Sequence, residues 1–415
     1  MAPVPVDTAF EAALALASPV EGTERVALPA APGRILATDS PAAGPYPAFD
    51  HAAVDGYALR AADGAEAPVV LPCTDLSLPG SRPAPLAPGR AARIFTGAPI
   101  PDGADSVVMQ EACAAVTLPD GTPAVRIGTA AAAGGNLRRA GEDMRPGEAL
   151  LTAGSLLDAR HLAAAAAADI GALEVRRRVR VAYLSCGNEL LPPGAPAAAG
   201  IPAARDSNRP MLAALLARPW IEARDLGIQP DQPERLQAAL AEAAGWADLV
   251  VTSGGMSVGE TDHLPEAVAR LEGEWAALQV AMKPGKPLGL GRLGAAVLLG
   301  LPGNPYAAFV GAVLFGGLVL RRLSGQPAVR PPGRRALLAE AVSRRPGRTD
   351  FLPVALVPAQ GEGPPRLQVL GPGGSARLAP LLAADGLAEV AGDLAAAPAG
   401  TPVRFHSFAE LFGTG

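Results

Sequence analysis

The sequence predicts an α/β protein of several domains, built on one mostly parallel sheet covered by helices on both faces. Three observations carry this. At 415 residues the chain is too long for a single core, and such a length corresponds to roughly two to four domains. From Arg180 onward, apolar strand-like runs alternate with amphipathic helical stretches, as a sheet of parallel strands joined by crossover helices requires. From Pro41 to Arg126 the chain is instead rich in proline and glycine with short β-branched runs, the pattern of a small all-β module.

The elements follow in order. Residues 7–16 have helical apolar spacing behind an Asp-Thr start and predict a surface helix. In the β module, Val69-Val70-Leu71, Ala92-Arg93-Ile94-Phe95 and Ser106-Val107-Val108-Met109 read as strands. A second helix is predicted over 158–168, where an alanine run suits close packing. Val181-Ala182-Tyr183-Leu184 is a strand ending in Ser185-Cys186-Gly187, 208–216 a helix, 221–226 a weaker strand and 234–244 a helix. Leu249-Val250-Val251 is a continuously apolar strand. The apolar run 307–320 falls short of the roughly 20 residues that span a bilayer and predicts a buried helix. A proline-rich joint at 327–332 leads to a C-terminal β-like region with Leu367-Gln368-Val369-Leu370 and Val403-Arg404-Phe405.

Composition narrows the function classes. A formal net charge of -5 provides no global field for nucleic acid or an anionic membrane, so an anion site must be a local pocket. Cys73, Cys113 and Cys186 are odd in number, widely spaced and without a C-x-x-C, which fits a reducing cytoplasm. The four histidines show no ligand spacing, which argues against a soft-metal site; any metal is expected to be a hard cation held by carboxylates and phosphates. Asp7 and Glu11 stand where a secretory leader would be basic, so none is expected.

The segment 249–262 (LVVTSGGMSVGETD), followed by Lys283-Pro284-Gly285-Lys286-Pro287, is the most informative. Ligands of parallel sheets sit beyond the carboxyl ends of the strands, where residues 185–189 and 253–262 both fall. Gly254 and Gly255 permit positive φ and bring amide N–H groups close to a ligand. Pro284 and Gly285 suit the second and third positions of a type II turn, which sets the Cα atoms of Lys283 and Lys286 within about 7 Å. Two ammonium groups so placed repel by about 2 kcal/mol at an effective dielectric of about 20, and an oxyanion between them removes that cost. The alternative is a solvated hairpin tip with diverging lysines. Glu260 and Asp262, shortly before, favour a site for a phosphorylated, negatively charged substrate. The chain has no P-loop, no strand-linked G-x-G-x-x-G and no G-x-S-x-G nucleophile elbow.

The full word Ser253-Gly254-Gly255-Met256-Ser257-Val258-Gly259-Glu260-Thr261-Asp262 is more specific than any of these. Further markers stand in order over nearly the whole chain: 50–58 (DHAAVDGYA), 95–101 (FTGAPIP), 136–143 (NLRRAGED), 185–190 (SCGNEL), 206–208 (DSN), 281–287 (AMKPGKP), 300–305 (GLPGNP), 347–351 (GRTDF) and Gly374-Ser375. In these the chain resembles the molybdopterin molybdenumtransferase family, of the MoeA and gephyrin E-domain type. The resemblance implies a three-layer α/β molybdopterin-binding domain over 173–327 and an all-β domain inserted over 45–136. A mixed N-terminal linking domain made of 1–44 and 137–172, and a C-terminal β domain over 328–415, complete an elongated homodimer. It also implies the activity, a magnesium-dependent insertion of molybdenum from molybdate into adenylylated molybdopterin with release of AMP. A cytoplasmic location and an encounter with the molybdopterin adenylyltransferase go with it.

Residue by residue, the resemblance makes Lys283 and Lys286 an oxyanion-holding pair and Arg348 a third cation, whose fork gives directional bonds that ammonium groups lack. Asp262 and Asp231 match the acids expected to bind Mg2+, which needs only one or two carboxylates beside substrate phosphates; solvated surface acids are the other reading. Glu189 is placed near the pterin or as a base, or is simply a carboxylate favoured by a helix start. Asp55, Thr96 and Asp143 are implied as active-site members, Asp55 and Thr96 reaching the other subunit's cleft. Ser253, Gly254, Gly255, Ser257, Pro302, Gly303, Asn304 and Ser375 complete the substrate-binding set. The chain departs from the family pattern at Asn188, where aspartate is usual, at Cys186, where threonine is common, and at Tyr306-Ala307, where Val-Ser is frequent. Two other readings stay open: the sibling enzyme that adenylylates molybdopterin, which shares the α/β module, and a non-catalytic scaffold.

Overall fold

The computed structural model describes residues 2–197, 202–255, 263–331, 333–358, 363–371 and 374–412. Its central unit is a six-stranded sheet in the order Ile221–Gln229, Val179–Cys186, Leu249–Ser253, Ala296–Leu301, Pro287–Leu293, Glu274–Gln279. The first four strands are parallel, and the last two each pair antiparallel with the strand before them in that order. Leu249–Ser253 and Ala296–Leu301 are buried at every position, which is why they are apolar without alternation. Asn208–Leu216 and the helix over 305–323 pack on one face through Val181, Tyr183, Val251 and Leu299. Pro233–Ala244 and Leu264–Arg270 pack on the other through Ala182, Leu184, Val250 and Leu298. The expected three-layer α/β architecture is the one observed.

The order of connections places the site. From Val179–Cys186 the chain crosses to Ile221–Gln229 on one side, then returns to Leu249–Ser253 on the other. The connecting segments therefore diverge at the carboxyl ends of the 179–186 and 249–253 strands, and a crevice opens between them.

The apolar run read as a buried helix forms Pro305–Leu323, with a π segment at Ala312–Gly316. By length and composition it could cross a membrane, but 72% of its most apolar 18-residue window is buried inside the fold. Phe315, fully buried, meets Phe10 with ring centroids 4.7 Å apart. The N-terminal helix Val6–Ala15 thus buries Val6, Ala9, Phe10 and Ala13 in the α/β core, although the division drawn from sequence groups residues 1–44 with the linking region. Its apolar stripe has one large apolar partner surface, and the helix docks there.

The β-rich region forms a four-stranded sheet (Asp75–Ser77, Ala91–Ile94, Gly56–Leu59, Ser106–Met109) and a three-stranded one (Val69–Pro72, Pro123–Ile127, Cys113–Thr117). At the C-terminus, Thr349–Val357, Arg366–Val369, Arg334–Leu338, Pro402–Ser407 and Gly386–Val390 pair in that order, and the last pairs back with the first. Closure into a barrel removes the sheet edges. The short strand Met282–Lys283 leaves the α/β unit to pair in parallel with Thr349–Val357, setting Lys283 opposite Asp350.

Candidate active site

A cleft of about 910 Å³ occupies the crevice at the strand ends, with Glu189, Asp231, Ser253, Gly254, Gly255 and Asn304 among its walls. The Gly254-Gly255 turn takes φ of 83° and 67°, the left-handed region that only glycine enters cheaply. A Cβ on Gly254 would stand 2.7 Å from the Cys186 carbonyl oxygen, so the two strand ends touch through bare backbone. Gly303 lies against the same turn, and Gly254 donates its amide to Leu301.

Beneath the turn lies a buried polar scaffold. Asn208 donates from Nδ2 to Ser253 Oγ at 2.6 Å and to the Gly303 carbonyl at 2.8 Å. Ser253 Oγ in turn donates to the Pro302 carbonyl. Ser253 lines the cleft, but its hydroxyl is committed to this scaffold. Asp206, 2% exposed, accepts from Ser185 Oγ and from the backbone amides of Asn208 and Arg209, and pairs with the Arg209 guanidinium at 2.9 Å. It fixes the strand end to the helix start. Sequence reading placed 206–208 among the markers without giving Asp206 or Asn208 a part; their signal was a polar triplet opening a helix behind a strand end.

Asn188 and Asp231 clasp each other. The Asn188 amide donates to Asp231 Oδ2 at 3.0 Å, and the Asp231 amide donates to Asn188 Oδ1 at 3.1 Å. The uncharged side chain at 188 makes this contact without placing a second carboxylate beside Asp231. Glu189 folds back over Gly187, where a Cβ would meet its carboxylate at 2.6 Å.

A second cavity of about 360 Å³ includes Lys283, Tyr306, Asp350, Gly374 and Arg377 in its walls. Asn304 and Ser375 stand between the two spaces: Asn304 Nδ2 donates to Ser375 Oγ at 3.1 Å, and the Ala307 amide donates to the Ser375 carbonyl. Ser375 therefore sits at the start of the 305–323 helix, where the usual serine at 307 is missing. Burial pushes the Tyr306 phenol above its ordinary range while its hydroxyl donates to the Phe351 carbonyl at 2.7 Å.

The lysine turn differs from the simple type II geometry expected. Gly285 has φ of 96°, but the Lys283–Pro284 peptide is cis. The loop is set from outside: Lys283 joins the ladder with Asp350, and the Lys286 carbonyl accepts from the Val280 amide at 2.7 Å. Both lysines are exposed, Lys283 at the second cavity and Lys286 just before Pro287, which lines the first. Arg348 is near Lys283 through Asp350, whose Oδ1 is 3.9 Å from Arg348 Nε. Pro302 and Gly303 line the first cleft. Ser257 and Asp262 lie outside the described residues.

Asp55, Thr96 and Asp143 line neither cavity. They belong to a surface where three loops meet: Gly97 donates to the Ala52 carbonyl, Ala53 to that of Asn136, and Arg139 pairs with Asp50 at 2.6 Å. Asp55 Oδ1 accepts from the Thr96 amide and the Thr96 hydroxyl, both at 2.8 Å. These bonds, the amide first, hold the Asp55 carboxyl below its usual range. Asp143 is exposed, its amide donating to the Tyr46 carbonyl.

Residues 4–168 match the family model described as MoeA N-terminal region (domain I and II), and residues 335–408 that of the MoeA C-terminal region (domain IV). Residues 182–322 match a probable molybdopterin binding domain. The molybdopterin molybdenumtransferase of Haemophilus influenzae is 36% identical over 332 residues, covering 79% of this chain and 80% of its own. This chain belongs to the MoeA family. A second relative, molybdopterin molybdenumtransferase 2 of Mycobacterium tuberculosis, is 34% identical over 91% of this chain and 93% of its own. Among solved structures, a molybdopterin biosynthesis MoeA protein from Pyrococcus horikoshii superposes with a TM-score of 0.80 at 27% identity, over 98% of this chain and all of that one. The MoeA architecture thus runs through the described parts of the chain, from the β-rich region to the barrel.

Proposed function

We propose that the chain is a molybdopterin molybdenumtransferase, which moves molybdenum from molybdate onto adenylylated molybdopterin and releases AMP. One observation carries the assignment to this site: an acid-lined cleft at the strand ends and a lysine-bearing cavity beside the barrel adjoin at the Asn304–Ser375 contact. A pterin nucleotide and a small dianion need two such neighbouring spaces of unlike charge. The Gly255 amide, at the tip of the turn, faces the substrate phosphates, while the Gly254 amide stays bound to the Leu301 carbonyl. Lys283, Lys286 and Arg348 replace the water shell of molybdate, since a dianion leaves water only for fixed cations or donors. Glu189 and Asp231 orient the oxygen that attacks the phosphoanhydride. Catalysis is by positioning and charge stabilisation, with no covalent protein intermediate.

Magnesium fits this donor set. Glu189 and Asp231 both line the cleft, and a hard cation that keeps several waters and takes ligands from phosphates needs no closed cage of side chains. Asp231 would hold it, together with Asp262. When bound, it would neutralise charge on the phosphoanhydride oxygens.

Asp55, Thr96 and Asp143 complete the cleft of a second copy in a homodimer, which accounts for their distance from the cavities of their own chain. We place the reaction in the cytoplasm, with the pterin nucleotide handed over by the adenylyltransferase. The test supplies ATP with molybdopterin in one arm and adenylylated molybdopterin with molybdate in the other. AMP release in the second arm alone supports the assignment; consumption of ATP in the first would point to the sibling adenylyltransferase.

A further inference from the structure

At the wall of the second cavity, which Asp350 lines beside Lys283, stands a buried ion pair that the proposed chemistry leaves unused. The Arg344 side chain is 1% exposed, and its guanidinium reaches three groups. Nε lies 3.2 Å from Asp350 Oδ2, and the terminal nitrogens donate to the Ala391 and Arg348 carbonyls. Asp350 is the ladder partner of Lys283. Its other oxygen, Oδ1, is buried without a hydrogen bond among the described residues, 3.9 Å from Arg348 Nε.

We infer that Arg344 is a positioning residue that takes up the charge of Asp350 and so keeps Lys283 and Arg348 available to the substrate oxyanion. The inference rests on the reading of Lys283 and Arg348 as oxyanion holders. A carboxylate this deeply buried has to be compensated by a cation. With Arg344 in place the carboxylate is compensated by that buried guanidinium, and Lys283 at the cavity and Arg348 beside Asp350 are left for a dianion. Without it, Arg348, whose Nε is 3.9 Å from Oδ1, is the cation left beside the carboxylate among the described residues, and it and the ladder neighbour Lys283 would be drawn on in place of the substrate. Arg344 also braces the loop. Gly347 donates its amide to Gly392, and a Cβ on Gly392 would stand 3.0 Å from the Arg348 carbonyl carbon. The base of Arg348 is therefore fixed while its side chain, 39% exposed, can reach outward.

The test is calorimetric titration of the full chain with molybdate, and separately with adenylylated molybdopterin. Wild type is compared with Lys283→Ala, Arg344→Gln and the double variant Arg344→Gln, Asp350→Asn. Arg344→Gln should weaken molybdate binding about tenfold and leave the pterin nucleotide within about twofold; the double variant should return molybdate to within about threefold of wild type, because coupled neighbours do not add. A merely structural lesion should weaken both ligands together, so selective loss of molybdate with the pterin nucleotide retained marks the charge effect. Should Arg344→Gln fail to fold, Arg344→Lys, which keeps the charge but loses the paired carbonyl bonds, should bind molybdate with a Kd between wild type and Lys283→Ala. Unchanged molybdate binding in Arg344→Gln, or equal loss for both ligands without recovery in the double variant, would overturn the positioning role. Unchanged binding in Lys283→Ala would instead remove the oxyanion reading beneath it.

Discussion

Gly254 shows at the scale of one residue why the strand-end turn admits no side chain. Its φ of 83° and the Cys186 oxygen 2.7 Å from any added Cβ both exclude alanine. Gly254→Ala should cost about 1–3 kcal/mol of stability and most of the AMP release; urea unfolding at wild-type values would contradict this. The glycine pair was legible because two adjacent glycines behind an apolar run have few other uses. The commitment of Ser253 to Asn208 and Pro302 was not, since those partners come from other strand-to-helix junctions. For Asp55 the sign of the pH effect follows from its bonds. Its carboxyl is held low by the Thr96 amide and then the Thr96 hydroxyl. The contact is therefore fully present above the ordinary aspartate value and is lost only as the pH falls through the lowered one. In Thr96→Val, NMR titration should show the Asp55 carboxyl rising toward its ordinary value while the amide retains part of the effect. An unmoved titration would mean that the hydroxyl contributes nothing.

The elements read best were those with the simplest physics. Asn208–Leu216 and Leu249–Ser253 appear where apolar spacing and continuous apolar runs placed them. The lysine turn was misread in type because its geometry comes from Asp350, distant in sequence, rather than from its own four residues. The helix over 305–323 was seen as buried, but its partner Phe10 was not, since sequence spacing carries no record of which apolar stripe meets which face. Phe315→Ala, at the centre of that contact, should cost about 3–5 kcal/mol. Equilibrium denaturation measures it, and a loss below 1 kcal/mol would show that the helix does not depend on this packing.

Over the whole molecule, the family was legible through markers spread along nearly the full chain, whereas the contacts that join its parts were not. Arg330 illustrates this: it pairs with Asp7 of the N-terminal helix and Glu389 of the barrel, and Glu389 in turn meets the buried His406 at 2.8 Å. The homodimer expectation has a test at the same scale. A variant lacking Asp55 and Thr96 function and another lacking Lys283 and Lys286 should each be inactive. Mixed and re-associated, they should regain roughly a quarter of wild-type activity, because half the dimers would hold one intact cleft. No regain would mean that each chain completes its own site. That Lys283, Lys286 and Arg348 capture molybdate for insertion is tested by the molybdate dependence of AMP release in Lys283→Ala, Lys286→Ala. Activity should collapse at low molybdate with the pterin nucleotide still bound; full insertion at low molybdate would contradict a role for these lysines in holding the oxyanion.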